Sequence, residues 1–253
     1  MPLLHSESAA GAAPGHDLTR RRLALRLAVP ALLLTAAMIV LGLLLTHTFA
    51  HWWLLSTEDG VDRSLAARRD PALNQATSVL STVANTIGTV IIAAAACLVT
   101  LWLTRRRREV AFIATALAIE VSAFLVTTLL VHRPRPGGLE LDHSPPTSSF
   151  PSGHSAAAVA LYGAIAWLLI RHTGRLYALA LLLMPAAVGF ARLYRGMHHP
   201  SDVAAGFLLG ACAVLIAGRA LLEPQPSRVP ARPARASSRT RRGAAAPLSE
   251  GRR

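Results

Sequence analysis

The sequence contains no lysine. All 26 of its basic residues are arginine, set against 13 Asp and Glu, for a formal net charge of +13. Cysteine is nearly absent. Cys97 and Cys212 both lie inside apolar runs, which excludes a disulfide scaffold. Charge of either sign is scarce, at 15% of 253 residues, where a soluble domain carries about 25%. There is no internal repeat and no alternating β pattern, and neither a coiled coil nor disorder throughout fits the composition. What is abundant is hydrophobic: 53% of the chain, with a mean hydropathy of +0.42. That is the composition of a chain that lives in a bilayer. Arginine as the only strong base, with heavy use of Ala and Leu, matches a GC-rich bacterial coding sequence.

A basic excess of this size also suits nucleic acid, but its distribution argues against that partner. The arginines sit in short blocks beside apolar runs or in the C-terminal tail, which is how membrane topology is written. Apolar runs predict six spans, at about Leu27–Leu45, Thr77–Leu103, Val110–Val131, Ser155–Ile170, Leu176–Phe190 and Val203–Leu222. A bilayer core needs about 20 apolar residues. The first run is too long for a signal-peptide core of about 7–15 residues, so it is expected to be an uncleaved anchor. The fold expected is an all-α polytopic membrane protein, a six-helix bundle. Residues 1–19 are read as a disordered arm, 20–222 as the membrane domain, and 223–253 as a disordered tail rich in Arg, Pro and Ala.

Six spans put both termini on one side. Arg20–Arg26, Arg105–Arg108, Arg171 with Arg175, and the tail all fall there, so that side is expected to be the cytoplasm. The loop Phe49–Ala76 then lies outside, with Trp52 and Trp53 at the membrane edge and some interfacial helix expected. The loops His132–His154 and Ala191–Asp202 share that side.

Those last two loops concentrate chemistry. His132-Arg133-Pro134-Arg135-Pro136 closes span three, Phe150-Pro151-Ser152-Gly153-His154 opens span four, and Ala191 to Asp202 joins spans five and six. Arginine forks match phosphate oxygens, so Arg135 and Arg192 are positioned to clamp one tetrahedral anion from separate loops. Ser152 is expected to cap a helix, and Gly153 to let its N-terminal N–H groups approach an anion. His154 follows, placed to exchange a proton. His198 and Asp202 are four apart, and a carboxylate on one imidazole nitrogen would free the other to attack. Together these groups describe phosphoryl transfer.

The three clusters resemble the signature of the type 2 phosphatidic acid phosphatases, a superfamily that includes the vanadium haloperoxidases. The family pattern is K-x6-R-P, then P-S-G-H, then S-R-x5-H-x3-D. Here Arg135-Pro136 matches the first, Pro151–His154 the second, and Arg192, His198 and Asp202 the third. Thr128 stands where the family has Lys, and Ala191 where it has Ser. The resemblance implies that His198 attacks phosphorus to give a phosphohistidine, that His154 protonates the departing lipid oxygen, and that Asp202 orients His198. It also implies that Arg135, Arg192, Ser152 and Gly153 hold the phosphate, with Arg133 the candidate to replace the missing lysine. No metal and no cofactor are implied. The expected partners are a lipid phosphate or diphosphate and the bilayer, at the extracytoplasmic face of a bacterial cell membrane. The alternatives are a haloperoxidase-like vanadate site, a non-catalytic transporter or lipid binder, and a metal hydrolase with His154, His198 and Asp202 as ligands. Glu120 lies mid-span and matches no motif. It is expected to have a buried structural partner. His199 is the rival nucleophile, Arg195 a candidate headgroup contact, and Tyr194 is expected to pack at the interface.

Overall fold

The computed structural model describes residues 14–49, 57–137, 139–143 and 147–223. Among them the regular structure is helical: α1 (Pro14–Leu43, continued by a π turn to Thr48), α2 (Glu58–Ala67), α3 (Pro71–Val83), α4 (Thr86–Thr104), α5 (Arg107–Leu130), α6 (Gly153–Thr173), α7 (Leu183–Tyr194, led by a 3-10 segment Leu176–Leu182) and α8 (Pro200–Leu221). Six of these stretches are long and apolar enough to cross a membrane: Arg21–Thr48, Thr86–Thr104, Arg107–Leu130, Gly153–Thr173, Leu176–Tyr194 and Pro200–Leu221. Helix α1 starts at Pro14, inside the segment read as an arm, and proline suits a first helical position. Residues 1–13, Trp52 and Trp53, and the tail from 224 lie outside the described residues.

The expected second span is two helices. Asn85 leaves helical geometry (φ −69°, ψ 173°) and its side chain accepts the Gly88 N–H at 2.8 Å. An asparagine that caps a new helix competes with continuing the old one. The membrane-length helix is therefore α4, and α3, at 13 residues, is not among the stretches long enough to cross a membrane. Asp70 caps α3, accepting from the N–H groups of Ala72 and Leu73, with Pro71 following.

Helices α5, α6 and α8 pack on one another, α1 lies against α5 and α8, and α7 against α6. Small residues set the α6–α8 spacing. A Cβ on Gly206 would lie 2.5 Å from the Ser152 carbonyl oxygen, and one on Gly210 2.4 Å from that of Ala156. Such backbone approach is how helices associate where no water drives them together. Phe112, Ile113, Leu161, Leu168 and Val214 fill the end of the bundle far from the motifs, where His172 at the end of α6 meets Glu109 at the start of α5 at 2.9 Å. Met38, Val131, Phe150 and Leu209 fill the near end. The C-termini of α5 and α7 and the N-termini of α6 and α8 therefore share one end of the bundle, and the three motifs ride on them.

Candidate active site at one end of the bundle

A cavity of about 810 Å³ opens among α3, α4, α5 and α6, and Arg135, Gly153, His154, Arg192 and His198 all line it. Residues of all three motifs, up to 63 apart in sequence, thus line one cavity. The turn that carries His198 depends on Gly196, whose φ is +68° and whose Cβ would lie 2.4 Å from the Leu139 carbonyl oxygen. Gly153 is needed for close packing. A Cβ there would lie 2.8 Å from the ring of Phe124. The first-turn N–H groups of α6 precede its i→i−4 ladder, which begins with Ala156 N–H donating to Ser152 O.

His198 is buried. Its Nδ1 lies 2.8 Å from the Ser149 carbonyl oxygen. A carbonyl only accepts, so Nδ1 carries the proton and Nε2 keeps its lone pair. Arg135 donates to the Met197 carbonyl at 2.7 Å, and the same nitrogen stands 3.5 Å from His198 Nε2. Burial, reinforced by the charges of Arg192 and then Arg135, pushes the His198 imidazole well below its ordinary value. It is a neutral base with one nitrogen held and the other available.

The carboxylate expected on His198 is not bonded to it. Helix α8 begins only at Pro200, so His198 and Asp202 share no helical face, and Asp202 Oδ2 stands 4.0 Å from Nδ1. Asp202 instead accepts from Ser149 Oγ at 2.5 Å, from Arg133 at 2.6 Å and from the His199 N–H at 2.9 Å. It fixes both sides of the loop that holds the imidazole, and the Ser149 carbonyl, which sequence reasoning missed, does the direct work. Backbone acceptors leave no sequence signal.

Two residues expected to hold phosphate are turned elsewhere. Arg133 does not line the cavity. It donates to Asp202, to Ser201 at 2.6 Å and to Glu58 at 2.8 Å, because two buried carboxylates without a cation would be costly. Ser152 sits at the start of α6 without a side-chain cap bond, and its hydroxyl meets that of Ser155 at 2.9 Å. Arg133 therefore does not replace the missing lysine at Thr128, which lines the cavity and bonds its own helix at Leu125 O.

Arg192 does face the cavity. Asp142, also missed in the sequence, accepts from it at 3.1 Å and from Arg195 Nε at 2.9 Å. Burial works to raise the Asp142 carboxyl, but the hydrogen bond and charge of Arg195 and the charge of Arg192 win and hold it below the usual range. Arg195 is thus locked inside and is no headgroup contact. Tyr194 is buried rather than interfacial, its hydroxyl accepting from the Asp70 N–H at 2.9 Å. The Nε–H groups of Arg135 and Arg192 are buried and have no partner among the described residues. Buried charged donors are normally satisfied, so two guanidiniums with unpartnered Nε–H groups lining one cavity are an arrangement that can hold an anion.

His199 pairs its Nδ1 with Asp62 at 3.0 Å. Burial works to lower the imidazole, but that bond and the charge of Asp202 outweigh it and raise it, which suits a cation rather than a nucleophile. Asp59, Asp62 and His199 form the one group of possible metal ligands among the described residues, their ligand atoms within 4.8 Å of one another. It is a different trio from His154, His198 and Asp202. Glu120 corrects a further expectation. Although only 3% exposed, it has no hydrogen-bond or ion-pair partner among the described residues, and it lines the cavity.

Residues 111–223 match the model of the PAP2 superfamily. The chain is 38% identical over 87 residues to phosphatidylglycerophosphatase B of Bacillus subtilis, covering 32% of this chain and 42% of that one. It is 37% identical over 119 residues to decaprenylphosphoryl-5-phosphoribose phosphatase of Mycobacterium tuberculosis, covering 43% and 59%. The chain thus spans about half the length of these curated relatives. Its fold matches the crystal structure of a transmembrane PAP2 type phosphatidylglycerolphosphate phosphatase from Bacillus subtilis, with a TM-score of 0.65, 20% identity, and coverage of 73% of this chain and 94% of that one.

Proposed function

We propose that the chain is a membrane-embedded lipid phosphatase of the PAP2 superfamily, whose model its residues 111–223 match. The observation that carries the reading is that the Arg135 and Arg192 guanidiniums, each with an Nε–H unpartnered among the described residues, line the cavity that His198 also lines. Phosphate oxygens accept from those two guanidiniums and from the N–H groups of the first turn of α6. His198 Nε2 attacks phosphorus in line while Nδ1–H stays on Ser149 O. His154 donates a proton to the lipid oxygen, which leaves as an alcohol, and the phosphoryl group stays on His198. Water deprotonated by His154 then attacks phosphorus, releasing phosphate and restoring both histidines. The charges of Arg135 and Arg192 offset what develops on the equatorial oxygens, as positioning and neutralisation carry most phosphoryl-transfer catalysis. Asp202 acts on the imidazolium-like intermediate through space and through the loop it ties.

Residues 20–222 form the catalytic unit in this reading, flanked by an N-terminal arm and a tail. Arg105–Arg108, Arg171 and Arg175 lie toward the end of the bundle away from the motif loops, and the positive-inside rule supports reading that end and both termini as cytoplasmic and the site as extracytoplasmic. The direct test is phosphate release by the purified protein from phosphatidic acid, phosphatidylglycerol phosphate and a polyprenyl diphosphate, with and without EDTA. Release that persists in EDTA and is abolished by His198→Ala supports the reading. Release that EDTA abolishes would favour a metal hydrolase.

A further inference from the structure

Glu120 is a carboxyl group midway along an apolar membrane-length helix, almost wholly buried, without a partner among the described residues, and it lines the cavity. Its helix gains nothing from it, since an apolar residue would pack there at no desolvation cost. An ionised carboxylate without a cation is costly in such a place. Its cheapest form is the neutral acid, which has one O–H to donate and finds no acceptor among the described residues. A ligand must supply that acceptor.

The cavity fixes where on the ligand the acceptor lies. Along α5 it runs from Thr128 down to Ala114, which at 1.5 Å per residue is about 21 Å. The ring of Phe124 lies against Gly153 and so marks the phosphate end. Glu120 is one turn deeper, about 6 Å. Below it the lining is hydrocarbon, from Val90 and Ala93 of α4 and Ala114, Leu117 and Ala118 of α5, suited to a lipid chain. In a glycerolipid phosphate, about five bonds, or roughly 6 Å when extended, separate phosphorus from an ester carbonyl carbon.

We propose that Glu120 recognises an ester carbonyl of the substrate, and that the substrate class is an acylglycerol phosphate rather than a polyprenyl phosphate. The proposal rests on the phosphatase reading above. A polyprenyl chain has no oxygen beyond its phosphates, so it would seal Glu120 against hydrocarbon. A site built to bond a polar group rejects the analogue that lacks it, because the protein group is left unpaired.

The test compares two substrates of equal chain length: a diacylglycerol phosphate, with ester carbonyls, and its dialkyl ether analogue, with none. Phosphate release is measured for purified wild type, Glu120→Gln and Glu120→Leu in the same detergent, with a soluble aryl phosphate as a control that has no lipid chain. Wild type is expected to favour the diester in kcat/KM by at least about tenfold, the scale of one buried hydrogen bond left unmade. Glu120→Gln, whose amide still donates, keeps the preference, and Glu120→Leu brings the ratio close to one. A wild type that cleaves diester and diether equally would overturn the proposal while leaving the phosphatase reading intact, as would a Glu120→Leu variant that keeps the full preference. Wild type that releases phosphate from none of the three would overturn the phosphatase reading and this proposal with it. Each ratio is internal to one protein sample, so a variant that folds in lower yield still gives an answer.

Discussion

Replacing Asp202 by Asn separates two ways a carboxylate can serve a histidine nucleophile. Were Asp202 bonded to His198, the amide would disturb the imidazole tautomer, and losses near 10⁴ follow from that kind of error. Here the tautomer is held by the Ser149 carbonyl at 2.8 Å, and Asp202 stands 4.0 Å away. Asn keeps an oxygen for Ser149 Oγ and the His199 N–H, so His198 keeps its orientation. What is lost is the field of a fully buried negative charge on the cationic phosphohistidine. At 4.0 Å and an effective dielectric of about 20, that field is worth about 4 kcal/mol. Arg133, at 2.6 Å on the same carboxylate, offsets part of it. The expected loss in kcat is therefore about 10²–10³, with KM little changed and the pH optimum retained. Steady-state phosphate release from a lipid phosphate measures it, and a thermal melt in detergent reports the separate effect of leaving Arg133 with Glu58 alone. A loss under tenfold, or one of 10⁴ or more, would refute the geometry.

Arg135→Gln removes a cation that disfavours the His198 imidazolium. The His198 ionisation should rise toward its ordinary value, so the acid limb of the kcat/KM profile should move to higher pH. A limb that stays put or moves to lower pH contradicts this. Arg133→Gln should lower the melting temperature, because it strands Glu58 and Asp202, with about 3–5 kcal/mol at stake. It should leave KM nearly unchanged, and a large rise in KM without a change in melting would return Arg133 to the phosphate site. In a background lacking Cys97 and Cys212, Gly60→Cys should react with an impermeant thiol reagent in intact cells, and Thr173→Cys only after lysis. The reverse would place the site in the cytoplasm.

The spans were legible because hydropathy is a bulk property and survives any local rearrangement. Asn85 shows the limit: an uncharged polar residue inside an apolar run looks tolerable, yet its side chain starts a new helix. The motif residues were legible as types and not as directions. Arg133 and Arg135 are two apart in a stiff Pro-bounded segment, and composition cannot tell which faces an anion. Buried carboxylates decided it, since Glu58 and Asp202 draw Arg133 away. Glu58 and Asp62, four apart in a polar helix, carry a weak signal of a buried acidic face. Asp142 carries none beyond being a carboxylate between arginine clusters. Glu120 was visible as an anomaly, but only the packing shows that its expected protein partner is missing.

The central claim is that His198 Nε2 becomes covalently attached to phosphorus. Wild-type protein is mixed with a lipid carrying a labelled phosphate, quenched in alkali within the first turnover, digested and mapped by mass spectrometry. The label is expected on His198 alone, to be absent from His198→Ala, and to persist longer in His154→Gln, which lacks the base that activates water. Label on His199, or full turnover with no labelled histidine at any quench time, would contradict it.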